Sequence, residues 1–141
     1  MHNPGMLSPR ERIELECARR GRTAVVAGCV RLIHGDDSDT RLITVLGGPT
    51  ARWALEGERA DWYRVWAMRG LLWAWEDGAL PAVLLALGDE AWRVREMAAK
   101  VVARHLVGDA LDTVATLRDD PVPRVRAAAT RAVARLTRAG V

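Results

Sequence analysis

The reading turns on Asp120-Pro121-Val122-Pro123-Arg124-Val125-Arg126-Ala127-Ala128-Ala129, because the chain writes this pattern twice. Thirty-one residues upstream, Asp89 stands where Asp120 stands later, and Arg93-Val94-Arg95 maps onto Arg124-Val125-Arg126. The same offset carries Ala98 onto Ala129, Lys100 onto Arg131, and Val102-Ala103-Arg104 onto Val133-Ala134-Arg135. It also aligns Gly78-Ala79-Leu80-Pro81-Ala82-Val83 with Asp109-Ala110-Leu111-Asp112-Thr113-Val114. An earlier copy, shorter by two residues in its connection, places Arg64-Val65 and Met68 on Arg93-Val94 and Met97. Each copy reads as a short helix, a turn holding an aspartate, and a longer helix. Self-similarity at a fixed period of this size is the signature of a repeat architecture.

The apolar residues of the longer helices fall at i, i+3 and i+7. They are Val65, Met68 and Leu72, then Val94, Met97 and Val101, then Val125, Ala128 and Ala132. This spacing gives one apolar stripe per helix, and a single stripe cannot be buried alone. Stacking successive hairpins buries the stripes in a continuous core, with Ala98, Ala99, Ala128 and Ala129 letting helix backbones approach closely. Nothing in the chain shows the period-two alternation of a strand. The expected fold class is therefore all-α, an α-solenoid of stacked antiparallel helical hairpins.

An aspartate followed after a few residues by Val-Arg and paired small residues resembles the HEAT repeat, in particular the short units of bilin-lyase-type proteins. The resemblance covers about residues 49–138 and is closest over 78–138. Its period is shorter than the roughly 40 to 47 residues of standard HEAT or armadillo repeats. Tetratricopeptide and ankyrin repeats have nearby periods, but their W-x-x-L-G and T-P-L-H signatures are missing. The resemblance implies that Asp89, Arg95, Asp120 and Arg126 form a structural ladder between neighbouring units. It also implies one HEAT-like domain over 1–141, with repeats at 49–77, 78–108 and 109–141 preceded by helices of less certain repeat character in 1–48.

Upstream, Ser8-Pro9-Arg10-Glu11 carries a capping serine, a proline at the first helical position and the glutamate of a capping box. That helix is expected to run to about Arg20 and stop at Gly21. The segment Ala24 to Val30 is apolar nearly all round, as suits a helix enclosed by neighbours. Asp37 to Asp39 can cap a third helix that closes at Gly47-Gly48, and Pro49 opens a short fourth through Trp53 and Leu55 to Gly57. About nine helices are expected, joined by short linkers that favour antiparallel neighbours.

The 141 residues are half hydrophobic and 28% charged, the balance of a globular domain rather than of a disordered tail. The amino terminus lacks the basic and apolar regions of a signal peptide, and no stretch approaches a membrane span, so a cytoplasmic protein is expected. Cys17 and Cys29 have no C-x-x-C spacing and no neighbouring histidine, and read as buried free thiols. His2, His34 and His105 are scattered; no metal and no cofactor is expected. Glycine phosphate loops, Ser-His-Asp sets and paired catalytic carboxylates are absent in recognisable form, which argues against an enzyme.

The formal charge of +3 hides an asymmetry. Residues 1–78 hold 11 cations and 11 acids, residues 79–141 hold 10 and 7, and the last 21 residues have five arginines and no acid. Arg93, Lys100 and Arg104 lie at i, i+7 and i+11, and Arg124, Arg131, Arg135 and Arg138 continue that register, so stacking would align them into a patch. Six tryptophans stand in a chain without Phe; among them Trp62, Trp66 and Trp73 share a helical face with Arg69. Arginine and tryptophan dominate interface energetics, so the expected function is a non-catalytic interaction module that binds a protein partner through Arg93, Lys100, Arg104, Arg124, Arg131, Arg135, Trp62, Trp66 and Trp73. Nucleic acid is the alternative, since phosphate contacts are electrostatic. Some HEAT-like proteins are DNA glycosylases, and that resemblance would cast Asp61 or Asp77 in a catalytic role. The alanines of the last helix, Ala127, Ala128, Ala129, Ala132 and Ala134, suggest an uncovered end able to meet a second copy or the partner.

Overall fold

Helix α1 (Pro9–Arg20) starts on a complete capping box: Ser8 Oγ accepts from Glu11 N at 3.1 Å and Glu11 Oε1 accepts from Ser8 N at 3.1 Å. It stops at Gly21, whose φ of 93° favours glycine. The computed structural model describes residues 6–57 and 59–141; residues 1–5, where the absence of a signal peptide and His2 were read, lie outside them. Eight more α-helices follow: α2 (Arg22–Ile33), α3 (Thr40–Gly47), α4 (Ala51–Gly57), α5 (Ala60–Trp73), α6 (Leu80–Leu87), α7 (Trp92–His105), α8 (Leu111–Thr116) and α9 (Pro123–Ala139). Short 3-10 turns precede α4, α6 and α8 and follow α8. No strand occurs among the described residues, and the fold class is all-α, as the periodicity predicts.

The helices gather into two compact units, residues 1–76 and 77–141. The sequence reading draws one domain with a repeat boundary between 77 and 78. In the first unit α1 and α2 form a hairpin, α3 and α4 lead into α5, and α2 packs along α5 while α1 packs on α3. In the second unit the wiring is the same: hairpins α6/α7 and α8/α9 stack, with α7 along α9 and α6 against α8. Stacked hairpins of this kind are what one-stripe helices require.

In the first unit Ile13, Val25, Cys29, Leu42, Ile43, Leu46, Met68 and Leu71 have no solvent exposure. Glycines set the spacing. A Cβ at Gly28 would sit 2.5 Å from Leu42 Cδ2, and one at Gly70 would sit 2.6 Å from Cys29 Sγ, so both helices approach where a side chain is missing. Burial pushes the Cys29 thiol up to about 12, which keeps it protonated and inert. Helix α2 is less enclosed than its composition suggests, since Ala27 and Arg31 face solvent while Val25, Cys29 and Leu32 face the core. In the second unit the buried stripe is Val94, Ala98 and Val101 on α7 and Val125, Ala128, Ala129, Ala132 and Leu136 on α9. Of the five alanines expected on an uncovered end, Ala128, Ala129 and Ala132 are therefore inside, because α9 turns its small residues toward its neighbours; Ala127 and Ala134 are exposed.

One buried charge organises the first unit. Glu16, 2% exposed, accepts from Arg19, Arg20 and Arg41, and Arg20 continues to Asp39 at 2.7 Å. Asp39 in turn caps α3 by accepting from Leu42 N at 3.0 Å. Arg12 reaches the other end of α3 and donates to the carbonyls of Val45 and Leu46, a cation at a helix C-terminus. Arg19 first, then Arg41 and Arg20, outweigh burial and hold the Glu16 carboxyl down at about 2, against an ordinary 4.5. A carboxyl depressed in the folded state adds stability above its ordinary value and loses it as pH falls through the folded value. Denaturant unfolding from pH 7 to pH 2 should show stability falling between 4.5 and about 2, with a shallower fall in Glu16→Gln. Equal slopes for the two proteins would show that Glu16 is not the responsible group.

Candidate functional site

Each repeat of the second unit begins its longer helix in the same way. Asp89 Oδ1 accepts from Ala91 N at 2.8 Å, and Asp120 Oδ1 accepts from Val122 N at 2.9 Å, so each aspartate folds the turn ahead of α7 or α9. Six residues on, the matching arginine reaches back: Arg95 Nη1 donates to Asp89 O at 2.8 Å and Arg126 Nη1 to Asp120 O at 2.8 Å. The link between repeats is a different contact. Arg95 Nε donates to Asp120 Oδ2 at 2.8 Å and its Nη2 to Asp120 Oδ1 at 3.1 Å, a bidentate pair that is nearly solvent-free. Burial pushes the Asp120 carboxyl up, but Arg95 and the Val122 amide outweigh it and hold it below the usual carboxylate range. Each of these two arginines thus clamps its own aspartate's carbonyl, and Arg95 also takes the carboxylate of Asp120 in the next repeat.

This pair lays α7 and α9 side by side with their N-terminal ends together. Trp92, the first residue of α7, has the Arg93 guanidinium 4.3 Å from its ring centroid and the Arg124 guanidinium at 5.5 Å. Arg124 Nε also donates to Glu96 Oε2 at 3.0 Å, and Lys100 Nζ stands 3.9 Å from the same oxygen. Glu96 is buried and ties the two helices together. Further along, Arg104 on α7 and Arg131, Arg135 and Arg138 on α9 are exposed. The three on α9 make no ion pair among the described residues.

Residues 79–104 match the family model of the HEAT repeat. This segment is a HEAT-like repeat. It spans α6 and nearly all of α7, and so contains Trp92, Arg93, Arg95, Glu96 and Lys100. No curated protein and no solved structure matches the chain. The HEAT-like segment is also where the sequence places the first half of its basic stripe, and its partner helix α9 carries the second half.

The tryptophans expected beside those cations belong to the first unit. Trp66 is a correction: it is 4% exposed, packed where Gly47 leaves room, since a Cβ there would stand 2.6 Å from the indole. Helix α5 meets α1, α2, α3 and α4, which covers the face that its own periodicity leaves over. Trp62 and Trp73 are half-buried. Trp62 lies edge-on to Trp53 at 6.2 Å and Trp73 holds the Arg10 guanidinium at 4.8 Å. Arg69, expected on the same face, donates instead to Leu46 O at the end of α3.

Two residues escaped the sequence reading. Trp92 stands among the cations of the HEAT-like segment, where Trp62, Trp66 and Trp73 were expected to stand, and its position directly before Arg93 was the available signal. Glu96 neutralises part of the stripe, and its signal was the i, i+4 spacing to Lys100, the favourable orientation for a helical ion pair. The position equivalent to Glu96 in α9 is Ala127, so that helix has no such acid. Asp61 and Asp77 are exposed. Among the described residues no helix is long and apolar enough to cross a membrane, and no cluster of His, Cys, Asp and Glu could hold a metal ion. Replacing Glu96 by Gln should cost about 1–2 kcal/mol in denaturant unfolding, the size of a lost charge-assisted hydrogen bond. An unchanged unfolding midpoint would show that the Glu96 link contributes nothing to the packing of α7 on α9.

Proposed function

We propose that the protein is a non-catalytic interaction module that holds an acidic segment of a protein partner on the α7/α9 face. The observation that carries this reading is the unequal charge on the two helices. Arg124 and Lys100 share Glu96, whereas Arg131, Arg135 and Arg138 are exposed without an acid. Fixed, uncompensated cations on a rigid helix raise the local concentration of an acidic ligand and speed its capture. Trp92, flanked by two guanidiniums, supplies a flat apolar anchor beside them. HEAT repeats commonly mediate protein interactions, in keeping with this reading.

A protein partner fits the face better than nucleic acid does. Glu96 offsets part of the positive charge of Arg124 and Lys100 at the N-terminal end, which weakens the face for a uniformly charged phosphate chain, while a protein segment can vary its charge from residue to residue. The first unit's Trp66 is not part of the surface, and the reading does not use it. Catalysis by Asp61 or Asp77 has no geometric support.

Fluorescence titration with a glutamate-rich peptide, at low and raised salt, tests the reading. Wild type should bind with an affinity that falls as salt rises, and the double variant Arg131→Glu, Arg135→Glu should lose about tenfold or more, since like charges now face the ligand. A duplex DNA or RNA bound more tightly than the peptide, with a steep salt slope that the same variant flattens, would replace the protein reading by the nucleic-acid one. Equal peptide affinity for variant and wild type would remove the face from consideration.

A further inference from the structure

Helix α1 carries an inversion. At two successive positions Leu15 points outward, 58% exposed, and Glu16 points inward, 2% exposed. Places where a chain breaks the ordinary apolar-in, charged-out rule are where function is to be sought. Leu15 is not isolated: with Leu7 and Val45 it forms the apolar wall of a groove of about 340 Å³ between α1 and α3, which Arg12, Glu16 and Thr44 also line. Arg19 and Arg41 stand on its rim, with side chains 52% and 57% exposed.

The charge around the groove is unbalanced. Glu16 is shared by Arg19, Arg20 and Arg41, and Asp39 is taken by Arg20, so on the α3 side three guanidiniums face two carboxylates, whereas Glu11 and Glu14, the latter paired with Arg10, stand on the other side of Leu7 and Leu15. Arg19 and Arg41 each use Nε and Nη2 on Glu16. Their Nη1 groups make no hydrogen bond among the described residues. Each rim guanidinium can therefore take a second acceptor without releasing Glu16, as bidentate donors of this shape do.

We propose that this groove docks an amphipathic acidic helix of a partner protein. The apolar side chains of such a helix would cover Leu7, Leu15 and Val45, and carboxylates on its flank would pair with Arg19 and Arg41. Apolar anchors at i, i+3, i+4 and i+7 laid between two helices are the usual form of helix-in-groove recognition. A small amphiphile suits the groove less well. A bound small molecule usually loses about 70–90% of its surface, and a groove whose wall Leu15 is more than half exposed cannot enclose one. The site is separate from the α7/α9 cations and stands or falls without them.

The test uses the full chain and a fluorescein-labelled helical peptide of about five turns, with leucines at i, i+3, i+4 and i+7 and glutamates on one flank, followed by anisotropy. Wild type should bind it. The same peptide with lysine for glutamate, or alanine for leucine, should bind at least about tenfold more weakly. Measured in the Arg131→Glu, Arg135→Glu background, which removes the α7/α9 cations as a competing site, Leu15→Ser should weaken binding about tenfold and Arg41→Gln severalfold, while Leu15→Met leaves it unchanged. Leu15 is exposed, so Leu15→Ser should melt with wild type, whereas Arg41→Gln gives up its bonds to Glu16 and is compared below its own, lower melting temperature; should Leu15→Ser melt early, the lysine peptide decides the matter. Undiminished binding to Leu15→Ser, equal binding of the lysine peptide, or a loss that follows Arg131 and Arg135 instead would overturn the proposal.

Discussion

A guanidinium serving two repeats at once is the constraint on which the second unit depends. Arg95 clamps the carbonyl of Asp89, which ends one hairpin's turn, and its remaining donors hold the carboxylate of Asp120, which shapes the next. Both side chains are largely out of water, so removing either leaves a charge with no solvent to replace its partner. The fork geometry of arginine matters here, because a lysine could not meet a carbonyl and both carboxylate oxygens together. With Arg95 and Asp120 joined, α7 and α9 have one alignment available, and the buried alanines of α9 allow it at close range. Everything said of the cationic face follows from that alignment.

The two units handle arginine in contrasting ways. In the first, guanidiniums are used internally: Arg19, Arg20 and Arg41 converge on Glu16, while Arg12 and Arg69 satisfy carbonyls at the end of α3. In the second, the same residue type lines an exposed helix without acids. An arginine count alone cannot tell these cases apart, because a guanidinium saturated by backbone carbonyls and one facing solvent carry the same formal charge. The net +3 of the chain is thus a poor guide to where a ligand of opposite charge would settle, and the local pairing of each cation is a better one.

How much of this was legible in the sequence depended on how local the signal was. The start of α1 could be read from Ser8, Pro9 and Glu11, since a capping box involves three neighbouring residues. The offset of 31 exposed the repeat, because stacked units reuse one pattern, and the resemblance to HEAT repeats pointed to the ladder residues. The burial of Trp66 could not be read, as it depends on Gly47 of another helix. Nor could the cross-link from Arg95 to Asp120 be told from an Asp89 to Arg95 pair, since both are consistent with the spacing. The inward turn of Glu16 was hidden for a similar reason: only the arrival of Arg41 from α3 makes a buried carboxylate tolerable there.

The central claim is that the Arg95–Asp120 pair sets the register of α7 and α9, and a double-mutant cycle measures it most directly. Denaturant unfolding of wild type, Arg95→Met, Asp120→Asn and the combined variant gives the coupling free of each residue's other contacts. The account predicts a coupling of about 1.5 kcal/mol or more, with the double variant less destabilised than the sum of the two single ones. Additivity to within about 0.5 kcal/mol would contradict it, and would mean that apolar packing alone aligns the two helices.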